Sequence, residues 1–374
     1  MSVSINGTNG LTFNDGSAQT TAATGFGFKN RIINGDMRID QRNAGASMST
    51  ASGSNFFTVD RWKTNYTQTS KYTIQQNAGS VTPPAGFSKY LGATSSSAYS
   101  VVAGDFFLFR QPIEGFNTAD FAWGTASAAT VTLSFWVRSS LTGTFGGSIC
   151  NNGDTRSYPF TYTVSVANTW EQKTVTIPGD TSGTWETGSS AGVVITFGLG
   201  VGSTYSGTAN AWAGTAYYSA TGATSVVGTN GATFYVTGVQ LEKGSTATSF
   251  DYRPYGTELA LCQRYLPAFN STSTASAIPG SGIGAATTFA SYNIPFMVQA
   301  RVAPTGVSIS SGAHFSLDDA VTLFACDALS FNFAGNSGAQ VLPTRSAAGL
   351  TQFRPYNLRF NNASGQLLFT GCEL

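Results

Sequence analysis

At 374 residues the chain is long enough for two or three domains with real cores, and 19 basic against 18 acidic residues leave a formal charge of +1. Only 10% of residues are charged, against about 25% in an ordinary soluble protein, and Ser, Thr, Asn, Gly and Ala take their place. No basic stripe exists for nucleic acid, no apolar run reaches membrane-spanning length, and Met1–Thr12 lacks the basic and apolar regions of a signal peptide.

Residues 1–25 are small and polar around Gly10-Leu11-Thr12-Phe13-Asn14-Asp15-Gly16. They can make a short hairpin but bury no core of their own, so a partner is expected to order them.

Residues 26–253 carry short strand patterns between Gly/Ser/Thr loops. Ile33, Met37 and Ile39 alternate with Asp36, Arg38 and Asp40, which predicts a strand with opposite charges side by side on one face. Val131, Leu133, Phe135 and Val137 alternate with Thr132, Ser134, Trp136 and Arg138, and Val175 and Ile177 continue the theme until Pro178-Gly179. Between Val236 and Val239 the apolar phase slips, which predicts a β-bulge near Thr237-Gly238. Regular strands with turn signals between them imply an all-β jelly roll or β-sandwich.

Residues 254–270 hold the one predicted helix, with Thr257 as its cap and Glu258 at its positive end. Leu259, Cys262 and Leu266 share one side, Leu261 and Tyr265 another. Residues 271–374 return to strands and form a second, C-terminal β-sandwich. In the last strand Leu367 and Phe369 point one way, and Leu368, Cys372 and Leu374 the other. A helix and a strand apolar on both sides want neighbours on both. That makes Leu259, Cys262, Tyr265, Leu368 and Leu374 the expected contacts with a sister chain.

The four cysteines, Cys150, Cys262, Cys326 and Cys372, lack metal or redox spacing and read as buried small hydrophobes of a protein made in a reducing cytosol. A Cys326–Cys372 disulfide stays open. The single histidine, His314, has no G-x-S-x-G turn to supply a nucleophile for it. Carboxylate pairs such as Asp36/Asp40, Asp318/Asp319 and Asp105/Glu114 have no diagnostic context for glycan cleavage, so no enzyme is expected. Trp62, Trp136 and Trp170 read as core. Trp185, Tyr205, Trp212, Tyr217 and Tyr218 lie in Gly/Ser/Thr-rich segments where aromatic platforms for sugar rings could form.

Several segments resemble phage tail-fibre and related prophage proteins with a carbohydrate-binding-module-like jelly roll. They are Gly10–Thr21, Asn30–Arg42, Val59-Asp60-Arg61-Trp62, Leu133–Ser140 and Gly238–Gly244. The most specific is Arg253–Tyr265, and looser matches continue through Arg301–Thr305 to Glu373-Leu374. The resemblance implies a virion tail appendage assembled in the host cytoplasm. It would be a homotrimer joined to the tail or another virion protein through residues 1–25, with its C-terminal domain facing a host glycan or protein. Jelly rolls of this kind often hold a structural calcium; Asn34-Gly35-Asp36 fits half of such a site. Thr237-Gly238 stands where its closing acid belongs, so no metal or other cofactor is expected.

Overall fold

The computed structural model describes residues 28–50 and 55–374, together with the backbone of short strands at Ser4–Asn6, Gly10–Thr12 and Ala18–Gln19. These three pair antiparallel in chain order. The side chains of residues 1–25, and any attachment role, lie outside the described residues.

Two six-stranded antiparallel sheets face each other. The first runs Glu171–Ile177, Val131–Ser139, Thr233–Lys243, Leu91–Ser95, Tyr72–Gln76, Met48–Ser49. The second runs Ser157–Val164, Gly143–Cys150, Ala191–Val201, Phe106–Glu114, Lys63–Tyr66, Asn55–Phe57. The period-2 rule explains the core: Val131, Leu133, Phe135 and Val137 are all fully buried and meet Phe109, Phe145, Phe160 and Phe197 of the facing sheet. Leu133 pairs with Val175 as the alternation requires. The expected bulge is present. Ser134 faces Gln240 but Trp136 faces Thr237, and Gly238 absorbs the extra residue at φ +61°.

The C-terminal unit is a second, smaller sandwich. Its three-stranded sheet (Ala268–Asn270, Gln366–Thr370, Gly306–Ile309) packs against a seven-stranded one. That sheet runs Leu323–Ala325, Phe315–Asp318, Pro355–Phe360, Ser281–Gly284, Ala290–Pro295, Gly338–Thr344, Ala328–Gly335. Leu367 and Phe369 enter its core beside Tyr292, Val341 and Leu358. Because Ala268–Asn270 already pairs with the last strand, this unit starts at the strand and not at 271.

Four expectations are corrected. Residues 33–40 are not a strand: Asn34 and Met37 take positive φ, and the chain turns there. Asp36 and Arg38 do form an ion pair, but on that turn. The helix spans Tyr255–Gln263 with Pro254 at its cap and no side-chain cap bond. Glu258 is buried; it pairs with Arg253 and accepts the Asn34 amide N–H, so it locks the entry turn to the helix.

The expected sister-chain contacts are filled within one chain. Cys262 and Tyr265 are buried with Ile33 and Ile39, and Leu259 and Leu374 pack on the same cluster. Leu368 packs on Leu266 and Ala268. The two-sided helix and strand therefore join the two sandwiches and give no argument for an oligomer. All four cysteines are buried and unpaired. Of the three expected core tryptophans only Trp62 is fully buried. Trp136 and Trp170 are half-buried, and Trp170 packs on Tyr90 and Tyr235.

Candidate functional site

The five aromatic candidates separate into two groups. Tyr205 and Tyr218 stack at 5.2 Å and stand edge-on to Phe106. With Leu108 and Cys150 they cover the outer face of the second sheet. Tyr218 is 8% exposed, its hydroxyl donates to Asp154, and the Arg110 guanidinium lies over its ring. Tyr217 bears on Gly207, and its carbonyl accepts from the Cys150 thiol. This segment seals the sheet and keeps no open ring face at Tyr218. Burial pushes the Cys150 thiol up to about 12, so it acts as packing.

Trp185 and Trp212 belong to the other group, together with Trp123, which the sequence reading did not single out. Their ring centroids lie 4.6 Å (Trp123–Trp185), 5.4 Å (Trp123–Trp212) and 5.6 Å (Trp185–Trp212) apart, all near-perpendicular. Edge-to-face contact is the arrangement the ring quadrupoles favour. Phe121 and Tyr158 extend the cluster at 5.5 and 5.1 Å. Each indole N–H donates to a main-chain carbonyl: Trp123 to Ala129, Trp185 to Ser182 and Trp212 to Pro178. No buried indole donor is left unsatisfied, so the rings are fixed in orientation.

Beside them opens a pocket of about 180 Å³ lined by Phe121, Trp123, Trp185, Thr125, Glu186 and Thr187. Its walls are two loops held by short-range chemistry. Asp180 takes a bidentate pair from Arg156 at 2.7 Å, accepts from Ser182 N–H, and its carbonyl receives Gly124 N–H. The Asp180 bond holds the Arg156 guanidinium above its ordinary range. Asn151 reaches across to the Thr184 carbonyl, and Gly115 and Phe116 tie down Ser190 and Gly188. Gly124 sits at φ +82°, and a Cβ there would stand 2.7 Å from the Gly183 carbonyl. Only glycine lets the two loops approach so closely.

The pocket thus offers one ring wall, hydroxyls from Thr125 and Thr187, and a single exposed carboxylate, Glu186. An aromatic wall with a few placed polar groups suits a sugar ring or another small amphipathic group. The other carboxylates weighed from sequence are occupied. Asp318 pairs with Arg359 and Asp319 with Arg354. Glu114 pairs with Arg264, and Asp105 accepts from Thr67 and Tyr99. His314 sits 2.8 Å from the Ser310 hydroxyl. At the half-fitting calcium position, Asn34 bonds the Ile39 and Asp60 carbonyls and Thr237 donates to Lys89 O. No group of three or more potential metal ligands occurs among the described residues.

No family model and no curated protein matches the chain. Among solved structures it is similar to the enzymatically active domain of bacteriophage CBA120 tailspike protein 4. Identity there is 14% over 53% of this chain and 21% of that one, with a TM-score of 0.31. The chain therefore spans about a fifth of that protein's length. It is also similar to the family 11 carbohydrate-binding module from Clostridium thermocellum in complex with a β-1,3-1,4-mixed-linked tetrasaccharide, at 14% identity over 55% and 99% of the two chains and a TM-score of 0.28. TmCBM61 in complex with β-1,4-galactotriose matches at 9% identity over 49% and 88%, with a TM-score of 0.26. At such scores these likenesses carry no argument. The all-β, double-sandwich class rests on the sheets described above.

Proposed function

We propose that the chain is a non-catalytic subunit of a phage tail fibre or spike that recognises a glycan on the host surface. The observation that carries the glycan reading is the rigid pocket beside Trp123 and Trp185, with its one ring wall and its hydroxyl rim. Preorganised rings lose little freedom when a ligand seats on them. The motif resemblance from Gly10 to Tyr265 supports the virion setting. The lining supports the non-catalytic reading: glycoside cleavage needs two carboxyl groups flanking one bond, and Glu186 is the only one among the residues that line this pocket.

The test is saturable binding of the purified chain to host cells and to host surface polysaccharide, with blocking of infection at saturation. Trp185→Ala should weaken both. Polysaccharide that shortens during incubation would overturn the non-catalytic part. A second reading, a fibre or connector with no ligand, is favoured by one observation: most of the resembling motifs meet in the joint between the sandwiches. It predicts no saturable binding at all.

A further inference from the structure

The seven-stranded sheet of the C-terminal unit carries a second constellation, remote in sequence from the tryptophan pocket. Ser281 pairs with Asn293, Asn293 with Gln340, and Gln340 with Phe333, so four strands contribute to one continuous row. The next residues along, Tyr292, Ile294, Val341 and Ala339, are buried, so by the period-2 rule this row lies on the outer face.

A bulge completes it. Phe331 pairs with Val341 and Phe333 with Gln340, which leaves Asn332 as the extra residue. Asn332 and Phe333 therefore both stand beside Gln340. Asn332 Nδ2 donates to Gln340 Oε1 at 2.7 Å, and Gln340 Nε2 donates to Asn293 Oδ1 at 3.1 Å. The amides fix one another's orientation. The ends of the ladder keep an acceptor at Asn332 Oδ1 and a donor at Asn293 Nδ2, two strand spacings or about 10 Å apart.

Phe333 is 58% exposed and lines a depression of about 430 Å³ together with Ser281, Asn293, Pro295 and Ser337. No charged residue lines it. An exposed ring costs hydration unless something covers it. A row of amides and hydroxyls beside an uncharged ring matches the alternating polar and C–H faces of a pyranose, and gives no counter-charge for an acidic or sulfated one.

The geometry points to a second binding site here, for a neutral oligosaccharide, with Phe333 as the stacking platform and Asn293, oriented by Gln340 and Asn332 behind it, reading hydroxyls. The competing occupant is a second copy of the chain, since Ala328–Gly335 is also an open edge of the sheet. Edge pairing would use main-chain groups in the plane of the sheet, whereas this depression opens on its face. A protein seated there would also have to satisfy every amide of the ladder.

The test titrates the intact chain with neutral tetrasaccharides built from glucose, galactose, mannose or N-acetylglucosamine, by calorimetry and saturation-transfer NMR. Phe333→Ala and Asn293→Ala are exposed changes that should leave the melting temperature unmoved and weaken binding at least tenfold. Trp185→Ala should leave this site intact. Binding lost only with Trp185→Ala would keep the tryptophan pocket and overturn this one. No binding by any probe, or binding untouched by Phe333→Ala and Asn293→Ala, overturns it too. So does sedimentation in which Phe333→Ala converts a multimer to a smaller species, which would assign the face to a second copy.

Discussion

The guanidinium of Arg61 lies over the ring of Tyr265, 3.6 Å from its centroid. Arg61 is 1% exposed, donates to Glu373 and to the Pro112 carbonyl at 2.6 Å each, and so binds helix, jelly roll and last residues together. Glu373 also receives Arg42 at 2.7 Å, and Tyr265 donates to Glu114, which Arg264 clamps at 2.6 and 2.9 Å. Burial opposes ionisation of Glu114, yet the bonds from Arg264 and Tyr265 hold its pKa below the usual range. Arg301 closes the joint by donating to the Ser189, Cys372 and Glu373 carbonyls.

Arg61→Ala should therefore do more than remove one contact. It leaves Glu373 and the Pro112 carbonyl short of a donor in a buried site, at a cost of about 3–5 kcal/mol. Lysine cannot repair it, because one ammonium cannot serve both acceptors and cover the ring. The expected outcome is calorimetric: a single transition splits into two as the sandwiches uncouple, and proteolysis begins near residues 264–268.

The strands were readable from sequence wherever one face was buried and the period held. Val131–Ser139 and the bulge at Gly238 are the clearest cases. The segment 33–40 was misread because Ile33, Met37 and Ile39 mimic a period of two while Asn34 and Met37 turn with positive φ. Thr257 is no cap because the helix begins earlier, at Tyr255 behind Pro254, and Glu258, in the first turn, pairs with Arg253. Apolar residues on both sides of the helix truly signalled two neighbours. Sequence could not say that both neighbours lie in the same chain. Trp123 escaped notice because Ala122-Trp123-Gly124-Thr125 has no periodicity; what places it is Gly124 and the distant Asp180 carbonyl.

Trp185 and Trp123 should respond differently to truncation. Trp123 is 7% exposed and its loss opens a cavity, so Trp123→Ala should cost about 3–5 kcal/mol. Trp185 is half-buried at the pocket wall. Trp185→Ala should cost clearly less stability than Trp123→Ala while weakening polysaccharide binding, and Trp185→Phe should restore part of it. Urea unfolding and affinity electrophoresis on the same proteins read the two effects separately.

Gly124→Ala tests the approach of the two loops. The new Cβ would sit 2.7 Å from Gly183 O and 3.2 Å from Trp185 Cδ1, on a backbone at φ +82°. Strain and displacement together predict a loss of about 1–3 kcal/mol and a weakened pocket. An alanine variant with unchanged stability and affinity would mean the loops are free to separate.

Asp60 gives the joint a dependence on pH. It is buried, and its carboxyl accepts from the Gln41 amide N–H and from the Gln41 side chain. Burial pushes it up to about 6 against the pull of Arg42 and those bonds. Below about pH 4 the group is protonated in folded and unfolded chains alike. Between about 4 and 6 the unfolded chain releases the proton while the folded one keeps it, so stability falls as pH rises through that window. Above about 6 the loss is complete, at up to about 3 kcal/mol for a shift of this size. Asp60→Asn removes the titration. The stability of the natural chain relative to Asp60→Asn, from urea unfolding between pH 3.5 and 7.5, should therefore decline from pH 4 to 6 and then level off. A rise across the same window would place the ionised carboxylate, not the neutral acid, in the folded joint.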